Sequence, residues 1–151
     1  MDEFPTREEL IERYKKGINE GNGLNEQEEA VINQPLCSGQ NIFPPRYYQL
    51  NAINRTINAI AKGQNRILLV MATGTGKTYT AFQIVWRLLK SGLKKKVLYL
   101  ADRNILVDQS IEQDFKPLEK VIHKIDYSKD KDKLKELLSH QVYFALYQQL
   151  I

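Results

Sequence analysis

The stretch Met71-Ala72-Thr73-Gly74-Thr75-Gly76-Lys77-Thr78 decides how the rest of this 151-residue chain is organised. It follows the apolar run 67–70 and precedes helix-forming residues that begin at Tyr79. Glycines at 74 and 76 permit backbone conformations that other residues avoid, and they let amide groups approach phosphate oxygens. The order of strand, glycine-rich loop, Lys-Thr and helix is typical of a phosphate-binding loop.

Two residues of the loop would carry the charge and the metal chemistry. Lys77 supplies a compact cation for the terminal phosphates of a nucleotide, and the Thr78 hydroxyl is placed to bind Mg²⁺. The following helix adds unpaired N–H groups and a partial positive charge. The usual pattern begins with glycine, whereas this chain has Met71 there. The alternative is a glycine-rich turn with a solvated lysine, but the full context predicts a nucleoside triphosphate site.

The composition, with 42% hydrophobic and 26% charged residues, is that of an ordinary folded domain. No apolar run approaches the ~20 residues that a membrane span needs, and the N-terminus lacks the apolar stretch of a signal peptide. The single cysteine, Cys37, cannot form an internal disulfide, which fits a reducing cytoplasm. Neither histidine stands at a telling distance from it, so we expect a packed residue rather than a nucleophile.

Charge is distributed unevenly along the chain. The first 30 residues hold nine acidic and four basic residues, a balance of −5, whereas the whole chain carries +4. The remainder therefore carries +9. A basic body favours a polyanionic partner such as nucleic acid, although lysine-rich surfaces are often only solvated.

Apolar periodicity and turn residues divide the chain into two parts. Residues 1–40 are predicted to form an acidic leader or linker with two short helices, capped at Thr6 and Asn25. Residues 41–151 alternate between helices and strands, which predicts a mainly parallel α/β sheet with helices on both faces. The predicted helices of this part span 47–62, 78–90, 103–115 and 128–139, and the predicted strands span 66–70, 97–101, 121–125 and 142–146. Because strand 97–101 is apolar without alternation, we expect it to be covered on both faces.

A glutamine precedes the loop lysine by 28 residues, in the stretch Arg46-Tyr47-Tyr48-Gln49. A glutamine amide can pair with the N6 and N7 edge of adenine, and Phe43 or Tyr47 could stack on the base. From spacing alone, however, the favoured interpretation of Gln49 is an exposed residue in the first turn of a helix.

Polar residues also follow two of the predicted strands. Asp102, after the second strand, is either an outer Mg²⁺ ligand or the cap of the next helix, and the cap needs no ligand. Arg103 and Gln109 could face a polyanion beside the nucleotide, because ligands of α/β sheets lie at the carboxyl ends of strands. Tyr147 and Gln148 follow the fourth strand and say little by themselves.

Together these stretches resemble the first RecA-like domain of superfamily 2 helicases, and in particular the motor subunit of type I restriction enzymes. Three sequences carry the resemblance in the family's order and spacing. They are Arg-Tyr-Tyr-Gln-x-x-Ala-Ile-Asn-Arg from residue 46, Leu-Val-Met-Ala-Thr-Gly-Thr-Gly-Lys-Thr-Tyr-Thr-Ala from residue 69, and Leu-Ala-Asp-Arg-Asn-Ile-Leu-Val-Asp-Gln from residue 100. The resemblance extends less firmly to residue 150, and the acidic leader is similar to what precedes the motor in such subunits.

The resemblance implies ATP and Mg²⁺ as cofactors, and duplex DNA and other subunits of a restriction-modification complex as partners. The residues that would hold nucleotide and metal are Arg46, Gln49, Thr73, Gly74, Thr75, Gly76, Lys77 and Thr78, with Gln49 on adenine and Lys77 and Thr78 serving catalysis. Arg103 and Gln109 would lie near the DNA backbone. Tyr147 and Gln148 would lie close to it as well, although Leu146 stands where helicases often have threonine.

The resemblance also implies parts that these 151 residues do not hold: a catalytic Asp-Glu motif, a second RecA-like domain and a nuclease domain. We therefore expect a piece of a larger subunit that does not hydrolyse ATP alone. Its sheet would be incomplete, with about four strands and unpaired edges that favour self-association. Two other functions stay open. One is a complete small P-loop NTPase or kinase that uses Asp102 for Mg²⁺ and Arg87 or Arg103 in a lid, and the other is a non-enzymatic module with a vestigial loop.

Overall fold

The computed structural model describes residues 5–18, 25–39, 42–126 and 139–149. In these ranges the chain forms five α-helices, three strands and two short 3₁₀ helices. In chain order they are α1 (Arg7–Ile18), α2 (Glu26–Asn33), α3 (Tyr47–Ala61), α4 (Lys77–Lys90), β1 (Val97–Ala101), α5 (Asn104–Glu112), a 3₁₀ helix (Lys116–Val121), β2 (Ile122–Lys124), β3 (Val142–Leu146) and a second 3₁₀ helix (Tyr147–Gln149). No helix of the described part is both long and apolar enough to cross a bilayer.

The three strands form one parallel sheet in the order β1–β3–β2. The register runs from Val97 opposite Val142 to Ala101 opposite Leu146, and Ile122 of β2 also lies opposite Val142. Parallel neighbours cannot be joined by a tight turn, and α5 lies in the connection between β1 and β2. The predicted parallel α/β class is therefore confirmed, and so are the predicted second, third and fourth strands.

The segment directly before the loop, residues 66–70, was predicted as a strand, and the structure shows that this is wrong. Leu68 is 86% exposed and Val70 is 90% exposed. The segment joins neither edge of the described sheet, so its apolar residues have no sheet to cover. A strand needs a neighbour for its N–H and C=O groups, which an apolar sequence cannot supply by itself. The described sheet thus has three strands rather than about four.

Strand β1 was expected to be covered on both faces, and this is also wrong. Val97, Tyr99 and Ala101 pack against the core, whereas Leu98 and Leu100 are about half exposed. β1 pairs only with β3 and therefore lies at an edge of the described sheet. The side chains of a strand alternate between its two faces, so Leu98 and Leu100 lie on the face opposite the core, which is only partly covered in the described structure.

Helix α4 contributes to both apolar clusters of the described structure. The first cluster joins α4 to the sheet and is built around Phe82, Phe115 and Phe144, whose rings meet edge to face at centroid distances of 5.4 and 5.1 Å. The second cluster joins α2, α3 and α4 through buried residues such as Ile53 and Leu88. The nearly all-round apolar character of α4 predicts this burial, and the prediction is confirmed.

The predicted helix caps are partly correct. Thr6 and Asn25 cap α1 and α2, each accepting a hydrogen bond from the N–H three residues ahead, at 3.3 and 2.9 Å. Asp102, however, does not cap α5: the cap position is Arg103, and the Asp102 carboxylate lies 3.8 Å from the Arg103 guanidinium on the surface. Helix α5 ends at residue 112 rather than 115, and Pro117 lies instead in the first turn of the 3₁₀ helix that begins at Lys116. The predicted helix 128–139 lies outside the described residues apart from its last position.

Candidate functional site

The glycine-rich loop enters α4 through two left-handed residues. Gly74 has φ +78° and Gly76 has φ +79°, a region that side-chain-bearing residues adopt only with strain. Gly76 is the N-cap of α4, and no side chain caps the first turn of this helix. The helix N-terminus therefore keeps N–H groups and a positive dipole end for an anion.

The side chain of Gln49 ties helix α3 to the loop. Its amide oxygen accepts from the Arg46 backbone N–H at 2.8 Å, and its amide nitrogen donates to the Thr75 carbonyl at 2.9 Å. A Cβ atom added to Gly76 would collide with the Gln49 amide nitrogen. Gln49 is only 8% exposed, so its interpretation as an exposed first-turn residue is wrong.

The remaining loop residues fold back on their own backbone. The Lys77 ammonium donates to the carbonyls of Ala72 and Met71, at 3.2 and 3.5 Å. The Thr75 hydroxyl donates to the same Ala72 carbonyl at 2.6 Å. Thr73 lies in the exposed turn at the tip of the loop. Lys77 is thus held at the mouth of the loop by weak bonds to neutral acceptors, which anionic oxygens could replace.

A cavity of about 440 Å³ lies beside Lys77, at the carboxyl end of β1. Its lining residues are Lys77, Thr78, Tyr99, Leu100, Ala101, Asp102, Leu106, Gln109, Ser110, Gln113 and Asp114. The structure thus brings the predicted residues Lys77, Thr78 and Gln109 together around one space, with Asp102 at its rim. Burial raises the pKa of the Asp114 carboxyl above its ordinary value, because the charged form is less well solvated there.

Arg103, Tyr147 and Gln148, which the resemblance links to DNA, gather at the carboxyl ends of β1 and β3 outside this cavity. The Gln148 amide donates to the Asp102 carbonyl at 3.0 Å. The guanidinium of Arg103 and the ring of Tyr147 are mostly exposed. The parallel register explains the grouping, since Ala101 and Leu146 are partners and the residues after them leave the sheet together.

Sequence reasoning missed two polar residues on α4, Tyr79 and Gln83, and considered a third, Arg87, only as a lid arginine. Gln83 is completely buried and Arg87 is 5% exposed. The sequence does contain a signal for this polar row, because polar residues spaced by four stand on one face of an otherwise apolar helix. Arg87 donates to carbonyls of α2 and to the Asn54 side chain. It is therefore not free to act as the lid arginine that the kinase alternative needs.

Two aromatic candidates for contact with a base are exposed. Phe43 is 84% exposed, and its carbonyl accepts from the Tyr79 hydroxyl at 2.9 Å. Tyr47 is exposed too, but its ring contacts Tyr48 edge to face at 5.5 Å. A second cavity of about 350 Å³ opens beside Phe43 and Tyr79. It shares Gln113 and Asp114 with the cavity beside Lys77, so the two spaces adjoin.

Comparisons with known proteins give matches over most of the chain. The family described as ResIII, "Type III restriction enzyme, res subunit", matches residues 42–151. The endonuclease subunit of the type I restriction enzyme EcoAI from Escherichia coli is 51% identical over 125 residues, which is 83% of this chain and 15% of that subunit. The EcoKI endonuclease subunit from Escherichia coli strain K12 is 38% identical over 111 residues, which is 74% of this chain and 9% of that subunit. This chain thus spans a small part of the length of both relatives.

Two solved structures share the fold. A fragment assigned to the HsdR subunit of a type I restriction enzyme from Vibrio vulnificus YJ016 is 31% identical with a TM-score of 0.71, covering 98% of this chain and 25% of that one. The UvsW helicase from bacteriophage T4 has a TM-score of 0.60 at 18% identity, covering 93% and 53%, and supports the fold alone. The chain therefore belongs to the ResIII family, with the RecA-like helicase fold and the likeness to type I restriction subunits that its motifs predict.

Proposed function

We propose that this chain is the ATP-binding part of a DNA-translocating motor in a type I restriction endonuclease subunit. The observation that supports it best is the glycine loop at the start of α4, tied by Gln49, in a chain 51% identical to the EcoAI endonuclease subunit. In this proposal residues 41–151 form the nucleotide-binding unit and residues 1–40 form its leader.

The residues of the loop fit a triphosphate and Mg²⁺. Gly76 has a left-handed backbone, and its missing Cβ leaves room for the Gln49 amide; its loop backbone suits the presentation of N–H groups to a phosphate. Lys77 would exchange its two loop carbonyls for phosphate oxygens, and the Thr78 hydroxyl would hold Mg²⁺, which neutralises charge on the phosphates when bound. Arg46, the remaining residue of the set, is connected to the loop through Gln49, which accepts from its backbone N–H.

Gln49 can serve the loop and adenine together. An amide carries two N–H donors and an oxygen with two lone pairs, and Gln49 uses one of each on Thr75 and Arg46. One donor and one lone pair stay available for N7 and N6 of adenine. In this proposal Gln49 couples recognition of the base to the shape of the loop.

DNA and other subunits of a restriction-modification complex are the proposed macromolecular partners. The charge of +9 outside the first 30 residues and the exposed cluster of Arg103, Tyr147 and Gln148 support a backbone contact. Contacts with phosphates weaken steeply as salt rises. Gln109, which lines the Lys77 cavity, would connect this surface to the nucleotide.

We propose that the chain binds ATP but does not hydrolyse it alone, because no Asp-Glu pair follows any of the three described strands. The test measures Mg-ATP binding and turnover with and without duplex DNA, for the native chain, Lys77→Ala and the exposed-lysine control Lys62→Ala. We expect Lys77→Ala to weaken ATP binding at least about tenfold, the loss of a charge-assisted contact, with no change for the control. None of the three should turn ATP over.

Two results would refute this proposal in different ways. Lys77-dependent turnover would place a catalytic carboxylate within these residues, and Asp102→Asn would then abolish it. That outcome would favour the complete small NTPase, which the position of Asp102 in the Lys77 cavity supports. ATP binding that is absent, or unchanged in Lys77→Ala, would favour the vestigial loop.

Self-association is also proposed, through the exposed apolar run 67–70 and the edge strand β1. Leu68 and Val70 are almost fully exposed, and β1 is paired on one side only within the described sheet. Such an edge can pair with a second copy. Sedimentation velocity should show concentration-dependent dimers that Val70→Lys disrupts, and a monomer at all concentrations would reject this.

A further inference from the structure

One face of α4 holds a long stretch of the chain that precedes α3. Tyr79, Gln83 and Arg87 are spaced by four residues, so they stand in a row about 12 Å long on one side of the helix. Each binds a backbone group of the described residues 31–39 and 42–43, and the order is reversed: Arg87 binds Val31, Gln83 binds Cys37 and Tyr79 binds Phe43. We call these three residues the α4 ladder.

The first contact of the α4 ladder closes the end of α2. Arg87 donates to the carbonyls of Val31, at 3.1 Å, and Ile32, and also to the Asn54 side chain of α3 at 2.8 Å. Helix α2 has no basic residue in its own last turn. The guanidinium therefore supplies the positive charge that its C-terminal carbonyls favour. Three helices meet at this one side chain.

The second contact imitates strand pairing. The Gln83 amide oxygen accepts from the Cys37 N–H at 2.9 Å, and its nitrogen donates to the Cys37 carbonyl at 3.0 Å. Gln83 is completely buried and Cys37 is nearly so. Both backbone groups of Cys37 are thus paired by one side chain, as burial requires.

The third contact lies two residues after the loop lysine. The Tyr79 hydroxyl donates to the Phe43 carbonyl at 2.9 Å and accepts from the Gln83 amide at 3.1 Å. Burial raises the pKa of Tyr79, so this hydroxyl stays protonated and can donate. Phe43 is anchored by its backbone while its ring stays exposed.

We propose that the α4 ladder positions Phe43 for the base of the bound nucleotide, so that Tyr79, Gln83 and Arg87 act as positioning residues for adenine binding. This rests on the proposed ATP-binding function. An exposed aromatic ring offers a stacking surface to the base. Because the backbone that carries the ring is already held in place, binding loses less conformational entropy. Phe43 fits better than Tyr47, because Phe43 is fastened to the helix that carries Lys77, whereas the Tyr47 ring already contacts Tyr48.

The α4 ladder also makes the base and phosphate contacts part of one rigid element. The N-terminus of α4 would hold the phosphates, and the first ladder residue stands in its first turn. The base contact and the phosphate contact can nevertheless be tested separately. Within the described residues, the Tyr79 hydroxyl forms hydrogen bonds with Phe43 and Gln83, and neither belongs to the loop. Removing the hydroxyl should therefore weaken binding of the base and spare binding of the phosphates.

The test compares the affinities of the full chain for Mg-ATP and for Mg-tripolyphosphate, which carries the same phosphate groups without a base. Tyr79→Phe should lower the affinity for ATP about five-fold, the effect of one neutral hydrogen bond, and leave tripolyphosphate unchanged. The matched control is Tyr143→Phe. Tyr143 lies on β3, away from α4, and its hydroxyl also donates to a backbone carbonyl, that of His140, at 2.9 Å. Phe43→Ala should lower ATP affinity at least as much as Tyr79→Phe. The double variant should match Phe43→Ala, because Tyr79 acts through Phe43.

Several results would overturn the inference. Equal losses for ATP and tripolyphosphate would give Tyr79 a structural role only, and additive losses in the double variant would separate it from Phe43. Unchanged ATP affinity in Phe43→Ala would be decisive even if Tyr79→Phe failed to fold, since the exposed Phe43 ring contributes little to stability. If the native chain bound neither ligand in a Lys77-dependent way, the proposed function would fall and the inference with it.

Discussion

Replacing Gly76 by alanine tests whether the loop and Gln49 form one unit. Gly74 provides a matched control, because the two glycines have nearly the same φ, +78° and +79°, but different surroundings. A Cβ at position 74 would meet nothing within 4 Å, whereas a Cβ at position 76 would collide with the amide of Gln49. The two substitutions therefore share the backbone strain and differ in the side-chain contact.

The magnitudes follow from these surroundings. Alanine in the left-handed region costs about 1–2 kcal/mol, and this is the whole expected cost of Gly74→Ala. In Gly76→Ala the flexible Gln49 side chain must also move, giving up its bonds to Thr75 and Arg46. Each bond contributes about 1 kcal/mol, so Gly76→Ala should cost about 3–4 kcal/mol. In a chain that already carries Gln49→Ala, Gly76→Ala should cost only the backbone strain.

The assay is urea unfolding followed by the fluorescence of Trp86, the only tryptophan of the chain, which lies on α4 and packs against the core. The coupling between positions 49 and 76 should be about 2 kcal/mol in a double-mutant cycle. Equal costs for Gly74→Ala and Gly76→Ala, or a cost of Gly76→Ala that Gln49→Ala does not relieve, would refute the reasoning.

Three further substitutions test the buried polar groups. Arg87→Met removes the donor for the buried Val31 carbonyl, the partly buried Ile32 carbonyl and the Asn54 side chain, and it should cost about 2–4 kcal/mol in urea unfolding, against little for the exposed Arg55→Met. Gln83→Leu leaves the N–H and the carbonyl of Cys37 without their hydrogen-bond partner, and it should cost about 2–4 kcal/mol. No change in stability would mean that water replaces the amide. Burial raises the pKa of Asp114, so the unfolded chain releases this proton first as pH rises, and the native carboxylate lowers stability at neutral pH. Asp114→Asn should therefore raise the urea midpoint at pH 7, and a gain that persisted below pH 3.8, the ordinary value for this group, would contradict this cause.

The parts of the fold that were predictable from sequence depend on local chemistry. The end of α3 at Gly63 and the start of α4 at the loop follow from glycine conformations, with φ +80° at Gly63. The presence of Met71, where the usual phosphate-loop pattern begins with glycine, can be explained in the same way. No described residue other than glycine has a positive φ, so position 71 needs no glycine, and Met71 contributes a carbonyl to Lys77.

The errors arose where partners distant in sequence decide the outcome. The apolar run 66–70 has a strand's composition, but it is not a strand because no described strand pairs with it. Leu98 and Leu100 belong to a paired strand, but they lie on the face of β1 opposite the core, which is only partly covered in the described structure. Periodicity reports which face of a segment is apolar, and it does not report whether a neighbour is present to cover that face.

The same limit explains why Gln49 and the α4 ladder were misjudged or missed. Glutamine and arginine are usually exposed, so sequence alone favours solvent for Gln49, Gln83 and Arg87. Each is instead buried on backbone groups 26 to 56 residues away along the chain. A buried polar side chain is stable only when its partners are already in place. These three residues therefore hold α2, α3 and the loop in one arrangement around α4, and ATP bound at the N-terminus of α4 should stabilise that whole arrangement rather than the loop alone.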